Sequence, residues 1–180
     1  MGSQNYAEFG TSDIGDIFND SKLSWRVHLL PFLEQEQLYS EFRLDEPWDS
    51  EHNLKLVSKM PAVFNSPMLD LANGETTYFL LDSDSKQNPT AMNYGDKAFS
   101  SEFPESILLI DVVKPELADI WTKPSHFVID MNNWEEMISQ TKSGFDAGFS
   151  SGAVLKIGGA DEPGKLKSWV FPNPEESEIK

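Results

Sequence analysis

Cysteine is absent from the 180 residues. That excludes disulfides, thiolate nucleophiles and cysteine-ligated metals, and it leaves the compartment open, since a cysteine-free secreted protein is ordinary. Basic residues are scarce: 14 Lys and Arg stand against 30 Asp and Glu, a formal charge of −16. Residues 1–90 carry 15 acids and 6 bases, and residues 91–180 carry 15 and 8, so the excess runs along the whole chain rather than forming an acidic tail. Such a field repels nucleic acid and anionic lipid headgroups and attracts cations and basic partners. No run approaches the ~18 consecutive apolar residues that span a bilayer. Histidine occurs only at His28, His52 and His126, with no metal-ligand spacing. A P-loop, a Rossmann glycine fingerprint and a Gly-x-Ser-x-Gly elbow are all missing, which removes the common nucleotide-binding and hydrolase signatures.

What is present is a core. Hydrophobic residues make up 39% and aromatics 12%, enough to exclude global disorder in a chain of one-domain length. The opening Met1-Gly2-Ser3 reads as a cloning remnant, and residues 1–22 are polar with Ile14, Ile17 and Phe18 scattered among them. From Leu23 to Pro67 the texture changes. This stretch holds two of the five Trp, two of the three His and both Arg, set among apolar residues at helical spacing.

Ser24 is a good N-cap before Trp25. Trp25, Leu29, Leu33, Leu38 and Phe42 share one apolar face, predicted to pack against strands at 76–81 and 106–113. Pro31 interrupts that face: either one helix kinks there, or Pro31 opens a second helix running to about Phe42. Asp45-Glu46-Pro47 stops it. Asp49 or Ser50 caps a further helix, buried by Leu54, Leu56, Val57 and Met60 and ended by Pro61. Trp48 is placed to staple the intervening loop to the core.

The second half changes period. TTYFLL (76–81) and SILLIDVV (106–113) read as strands, the second one buried. Residues 82–105 read as a loop, 133–140 as a short helix, and 145–157 as a hairpin turning at Ser150-Ser151-Gly152. Residues 158–180 are rich in Gly, Pro and acids and read as a mobile tail. Helices first and strands afterwards indicate an α+β fold, with N-terminal helices on a mainly antiparallel sheet, in a single domain over 23–157.

The residues now on the page carry a resemblance. SWRVHLLPFLEQEQLY followed by FRLDEPWDSEHNLKLVSKMPAVF, with TTYFLL, ILLIDVV, IWTKPSHF and the hairpin, resembles the bacterial DUF1559 family of prepilin-like, pseudopilin-like proteins. The resemblance covers about three quarters of the chain. It implies a pilin-like soluble domain whose prepilin leader and long apolar helix are not in this sequence. The family often has Cys-Pro where this chain has Ser66-Pro67. It also often has a His-x9-Asp-Gly hairpin, where this chain has Ser151-Gly152 and no His after His126.

The resemblance implies a non-enzymatic domain for assembly or display, periplasmic or extracellular and anchored through the absent helix, with other pilin-like subunits or envelope proteins as partners and a link to type II secretion. An extracytoplasmic module binding a sugar or a cation, through the 82–103 loop and Trp121, is the alternative. No catalytic residue and no cofactor is expected. Asp82, Asp84 and Asn88 are the candidate calcium ligands, because alternating oxygen side chains can wrap Ca²⁺. The loop lacks the glycine and terminal glutamate of an EF-hand. Tyr94 and Phe99 serve either as internal anchors of the long loop or as an exposed contact.

Overall fold

The computed structural model describes residues 20–83, 85–87, 89–100, 102–129, 132, 144–158 and 163–173. It is α+β. The expected helix at 133–140, residues 1–19 of the polar N-terminal segment, and Asp84 and Asn88 of the candidate cation site lie outside the described residues.

Ser24 caps α1 (Trp25–His28), its hydroxyl accepting from the Arg26 N–H at 3.3 Å. The predicted long or kinked helix is instead three separate turns. After α1 comes a 3-10 turn (Leu30–Leu33), then α2 (Glu36–Glu41). Pro31 has no N–H to continue an α-helical ladder. Glu34 then takes φ 59°, a left-handed cap whose N–H returns to the Leu30 carbonyl. The next predicted helix is a 3-10 segment (Asn53–Lys59), followed by a short turn (Ala62–Phe64). Neither Asp49 nor Ser50 caps it: the cap position is His52, whose side chain makes no capping bond, while Ser50 accepts from the Asn53 N–H at 3.1 Å one residue inside. Leu54 does not bury it: Leu54 is 51% exposed, while Leu56 is buried, because three residues per turn rotates the apolar set away from the α-helical face.

Two sheets follow. β1 (Glu75–Thr76) pairs with β4 (Asp119–Ile120) in a small antiparallel ribbon. The main sheet has the order β5-β2-β3-β6-β7, built from β2 (Tyr78–Asp82), β3 (Ile107–Asp111), β5 (Phe127–Val128), β6 (Phe145–Phe149) and β7 (Val154–Ile157). Its pairs are antiparallel except β2 with β5. The hairpin turns where the sequence places it, with Gly152 at φ 87°, a left-handed position that glycine occupies without strain.

Side chains alternate across the sheet and build two cores. On one face Leu80, Leu108 and Leu109 meet the helical layer: Trp25, Val27, Leu30, Leu38, Phe42, Leu56, Phe64 and Trp121. Leu108 and Leu109 both join this side because the register slips between Ile107 and Leu109. Leu29 and Leu33 are half-buried at its margin, and Trp48 also packs there, its N–H bonded to the Lys22 carbonyl. On the other face Phe79, Leu81, Ile107, Ile110, Phe145, Ala147, Phe149 and Ile157 meet Val170. Val170 closes α3 (Pro163–Val170), which the sequence reads as tail. Leu166 and Trp169 of this helix pack on the same core.

The stretch 82–105, read as a loop, contains a 3-10 helix (Ala91–Phe99). Its signal is Thr90 with Asn93: the Thr90 N–H donates to Asn93 Oδ1 at 2.8 Å and its hydroxyl to the Leu81 carbonyl at 2.9 Å. Tyr94 acts as an internal anchor, its ring edge-on to Phe103 at 5.0 Å and its hydroxyl donating to the Pro172 carbonyl at 3.2 Å.

Candidate functional site

The strongest polar constellations are structural in form. Asn53 is fully buried. Its amide nitrogen donates to the carbonyls of Arg43, Glu46 and Pro47 at 3.0–3.2 Å, and its oxygen accepts from the Arg43 N–H at 3.0 Å. One buried side chain thus bonds the backbone at both ends of the Arg43–Pro47 turn, an otherwise largely exposed stretch outside the helices and strands. His52 Nε2 lies 2.8 Å from the Glu41 carbonyl oxygen beside it.

Arg26 is buried between the rings of Trp25 and Phe79, its guanidinium carbon 4.7 and 5.4 Å from their centroids. Nη1 donates to Ser24 Oγ at 2.8 Å and Nη2 to the Tyr78 carbonyl. Burial pushes its pKa down to about 9, with Asp119 acting in the opposite direction. It stays a cation at neutral pH. Three buried polar atoms in this region of the chain, Trp25 Nε1, Arg26 Nε and Thr122 Oγ1, have no hydrogen-bond partner among the described residues.

Asp82, the first candidate calcium ligand, ends β2. Its Oδ1 accepts from the Ser83 N–H at 2.7 Å and from Asn93 Nδ2 at 2.9 Å, and its Oδ2 lies 3.4 Å from His126 Nδ1. Burial raises its pKa, but His126, the Ser83 N–H and Asn93 together outweigh that and hold it below the ordinary carboxylate value. Both oxygens therefore face donors of this chain. Asp84 and Asn88 fall outside the described residues. Among the described residues, no three His, Asp or Glu gather in a form that could hold a metal ion.

Trp121, offered by the sequence as a ligand-contact residue, is wholly buried. It stacks on Phe64 at 5.8 Å, meets Phe42 edge-on at 5.8 Å, and donates from Nε1 to the Val57 carbonyl at 2.9 Å. A ring so enclosed offers no face to a sugar.

A cleft that sequence reasoning missed lies between the helical layer and the small ribbon. It encloses about 350 Å³ and is lined by Asn65, Ser66, Leu69, Asp70, Leu71, Ala72, Asn73 and Glu75. No basic side chain lines it. At its margin the Ser66 hydroxyl donates to Asp111 Oδ2 at 2.9 Å, while Thr77 donates to Asp111 Oδ1 at 2.6 Å. Asp111 is 1% exposed and is held by two hydroxyls from separate segments. No imidazole stands within this group, so Ser66 has a carboxylate neighbour without the relay that activates a serine nucleophile. The only sequence signal for this cleft was the cluster of Asn, Asp and Gly at 65–75, which reads equally well as loop.

A family model described as a protein of unknown function, DUF1559, matches residues 2–106. The chain belongs to the DUF1559 family. The match takes in the helical layer, β1, β2 and the 3-10 helix at 91–99, and it stops one residue before β3. No curated protein matches the chain, and no solved structure does. Among the described residues of this DUF1559 member, no helix is long and apolar enough to cross a membrane.

Proposed function

We propose that this DUF1559 chain is a non-enzymatic, pilin-like or pseudopilin-like domain of the cell envelope, used for assembly or display. It would stand outside the cytoplasm, held to the membrane through an N-terminal helix. The observation that carries the reading is where the signature residues go. Trp25, Arg26, Asn53 and Trp121 are 5%, 0%, 0% and 0% exposed. Each is committed to the core or to a turn, and none lines the cleft. A signature that specifies packing rather than an open polar site is what a scaffold needs. The test is made on the native gene in its host. The reading expects an N-terminal segment removed by the prepilin peptidase, and a product reached by protease added to spheroplasts. An unprocessed protein found only in the cytosol overturns it.

A second reading has an observation of its own. The cleft at 65–75 presents Asp70, Glu75, Asn65 and Asn73 without a cation among them, which suits a hydroxyl-rich or cationic small molecule. Binding to the native state raises its melting temperature. A melt series with Ca²⁺ and with neutral glycans, repeated on Asp70→Asn, tests this: a shift present in the parent and lost in the variant supports it. Its absence across the series removes it.

A further inference from the structure

We propose that β7 pairs with β7 of a second copy of this chain, antiparallel, about a two-fold axis through Leu155. Among the described residues, β7 lies at the edge of the main sheet and hydrogen-bonds only to β6. Its exposure is unusual for a strand so apolar: Val154 is 73% exposed and Leu155 45%. Edge strands are ordinarily guarded by proline, a bulge or unpaired charge. Here the one charge on the strand is Lys156, and it lies 3.8 Å from Asp146 on the neighbouring strand.

The direction of the free backbone follows from the ladder. Phe149 donates to the Ala153 carbonyl at 2.9 Å, and the pairs continue as Gly148 with Val154, Ala147 with Leu155 and Asp146 with Lys156. Antiparallel pairs alternate between bonded and non-bonded, so Leu155 turns its N–H and C=O toward β6, and Val154 and Lys156 turn theirs outward. A second β7 laid antiparallel with Leu155 opposite Leu155 sets Val154 opposite Lys156 on both sides of the axis. Each such pair exchanges two backbone bonds. Leu155 occupies the non-bonded position, where opposed side chains stand closest. The strand is thus complementary to itself in this register.

Charge favours this strip over others for contact between copies. The chain carries −16 overall, but from 144 to 158 its charged side chains are Asp146 and Lys156, which cancel. A four-residue pairing covers far less than the ~1,200 Å² of a stable complex, so the dimer is weak and depends on concentration. Its affinity rises with salt, because screening removes the long-range repulsion between two acidic copies while leaving the neutral strip unaffected.

The absence of cysteine makes the test direct. Leu155→Cys places one thiol at the axis. Val63→Cys, at a residue 57% exposed on the turn 62–64, reports random collision. Under mild oxidation Leu155→Cys is expected to form disulfide dimers on the order of tenfold faster than Val63→Cys, the factor supplied by about 1.4 kcal/mol of pairing. Adding salt widens the ratio. Val154→Lys in the Leu155→Cys background sets Lys against Lys156 across the axis and returns the rate to the control value. Because Val154 is already exposed, that change leaves the fold intact. Equal rates for the two single-thiol chains overturn the proposal, as does a Leu155→Cys rate indifferent to Val154→Lys. These readouts concern the chain itself and stand apart from whether it is an envelope protein.

Discussion

The two faces of the β5-β2-β3-β6-β7 sheet are buried in different ways. Among the described residues, the covering layer on the helical face is a succession of short turns, with the longer 3-10 helix at 91–99 adding Met92. It is held by large rings and by buried polar side chains: Trp25, Phe42, Phe64 and Trp121 pack there beside Arg26 and Asn53. On the opposite face one helix, α3, lies over a core that is entirely aliphatic and phenylalanine among its buried members. A layer without long helices has few internal backbone ladders, so its carbonyls and N–H groups must find side-chain partners. Asn53 and Trp121 Nε1 fill that need. The unusual residues of the chain are concentrated where backbone satisfaction is hardest, and those residues make its signature recognisable. The face covered by α3 needs only volume and apolarity, and many sequences supply that.

The largest test of this contrast is Trp121→Ala. It removes a ring packed against Phe42 and Phe64 and strands the Val57 carbonyl. Loss of about 3–5 kcal/mol in urea denaturation is expected. A loss below about 1 kcal/mol, the level of an ordinary surface change, would mean that the helical face is not organised around this ring.

A matched pair sharpens the comparison. Leu30 and Leu81 are both 0% exposed, one in each core. Truncation of either to Ala is expected to cost roughly 2–5 kcal/mol. Leu81 should cost more, because β2 is fixed by a neighbour on each side while the turn bearing Leu30 is free to settle into the cavity. The reverse order in denaturation midpoints would show the helical layer to be the more rigid of the two.

How much of this was legible follows from the same physics. The apolar spacing from Trp25 to Phe42, the strands at 76–81 and 106–113 and the hairpin turn are period and turn signals, and each element stands near its expected place. The continuity of the first helix was not legible, because it ends on a left-handed Glu34, a conformation no local rule assigns to glutamate. The 3-10 helix at 91–99 rests on Thr90 and Asn93, a weak N-terminal signal within a polar stretch. In α3, Leu166, Trp169 and Val170 meet the sheet, yet the Gly and Lys around them resemble tail. Trp121 looked like a ligand contact because a lone Trp between Ile120 and Thr122 says nothing about the rings that enclose it. The cleft at 65–75 had only its Asn, Asp and Gly cluster as a signal, and that pattern reads equally well as an ordinary loop.

The joint between the two faces is Asp111, where Ser66 from the helical side and Thr77 from the sheet both donate. Thr77→Val keeps the shape and removes one donor from a buried carboxylate. About 1–3 kcal/mol is expected to be lost. If stability is unchanged, the carboxylate is satisfied by Ser66 alone and the two segments are held together by apolar contact.

The smallest effect is expected at Asp82, and it is visible mainly through pH. Its folded pKa lies below the ordinary value of about 3.9 because His126, the Ser83 N–H and Asn93 favour the charged form over the penalty of burial. A carboxyl with a depressed folded pKa adds stability that is present above its unfolded pKa and is lost as pH falls through the folded one. Asp82→Asn should therefore lower the melting temperature slightly at pH 6 and converge with the parent once pH falls below the depressed folded pKa, where the carboxylate is protonated in both states. Many other acids of the chain titrate in the same range, so the informative quantity is the difference between the two curves. A difference that stays constant from pH 6 to pH 2.5 would show that the Asp82 charge contributes nothing and that only the geometry of its bonds to Ser83 and Asn93 matters. A difference that closes on acidification assigns the junction of β2 with the 3-10 helix at 91–99 to electrostatics, in contrast to the apolar contacts that hold α3 to the sheet.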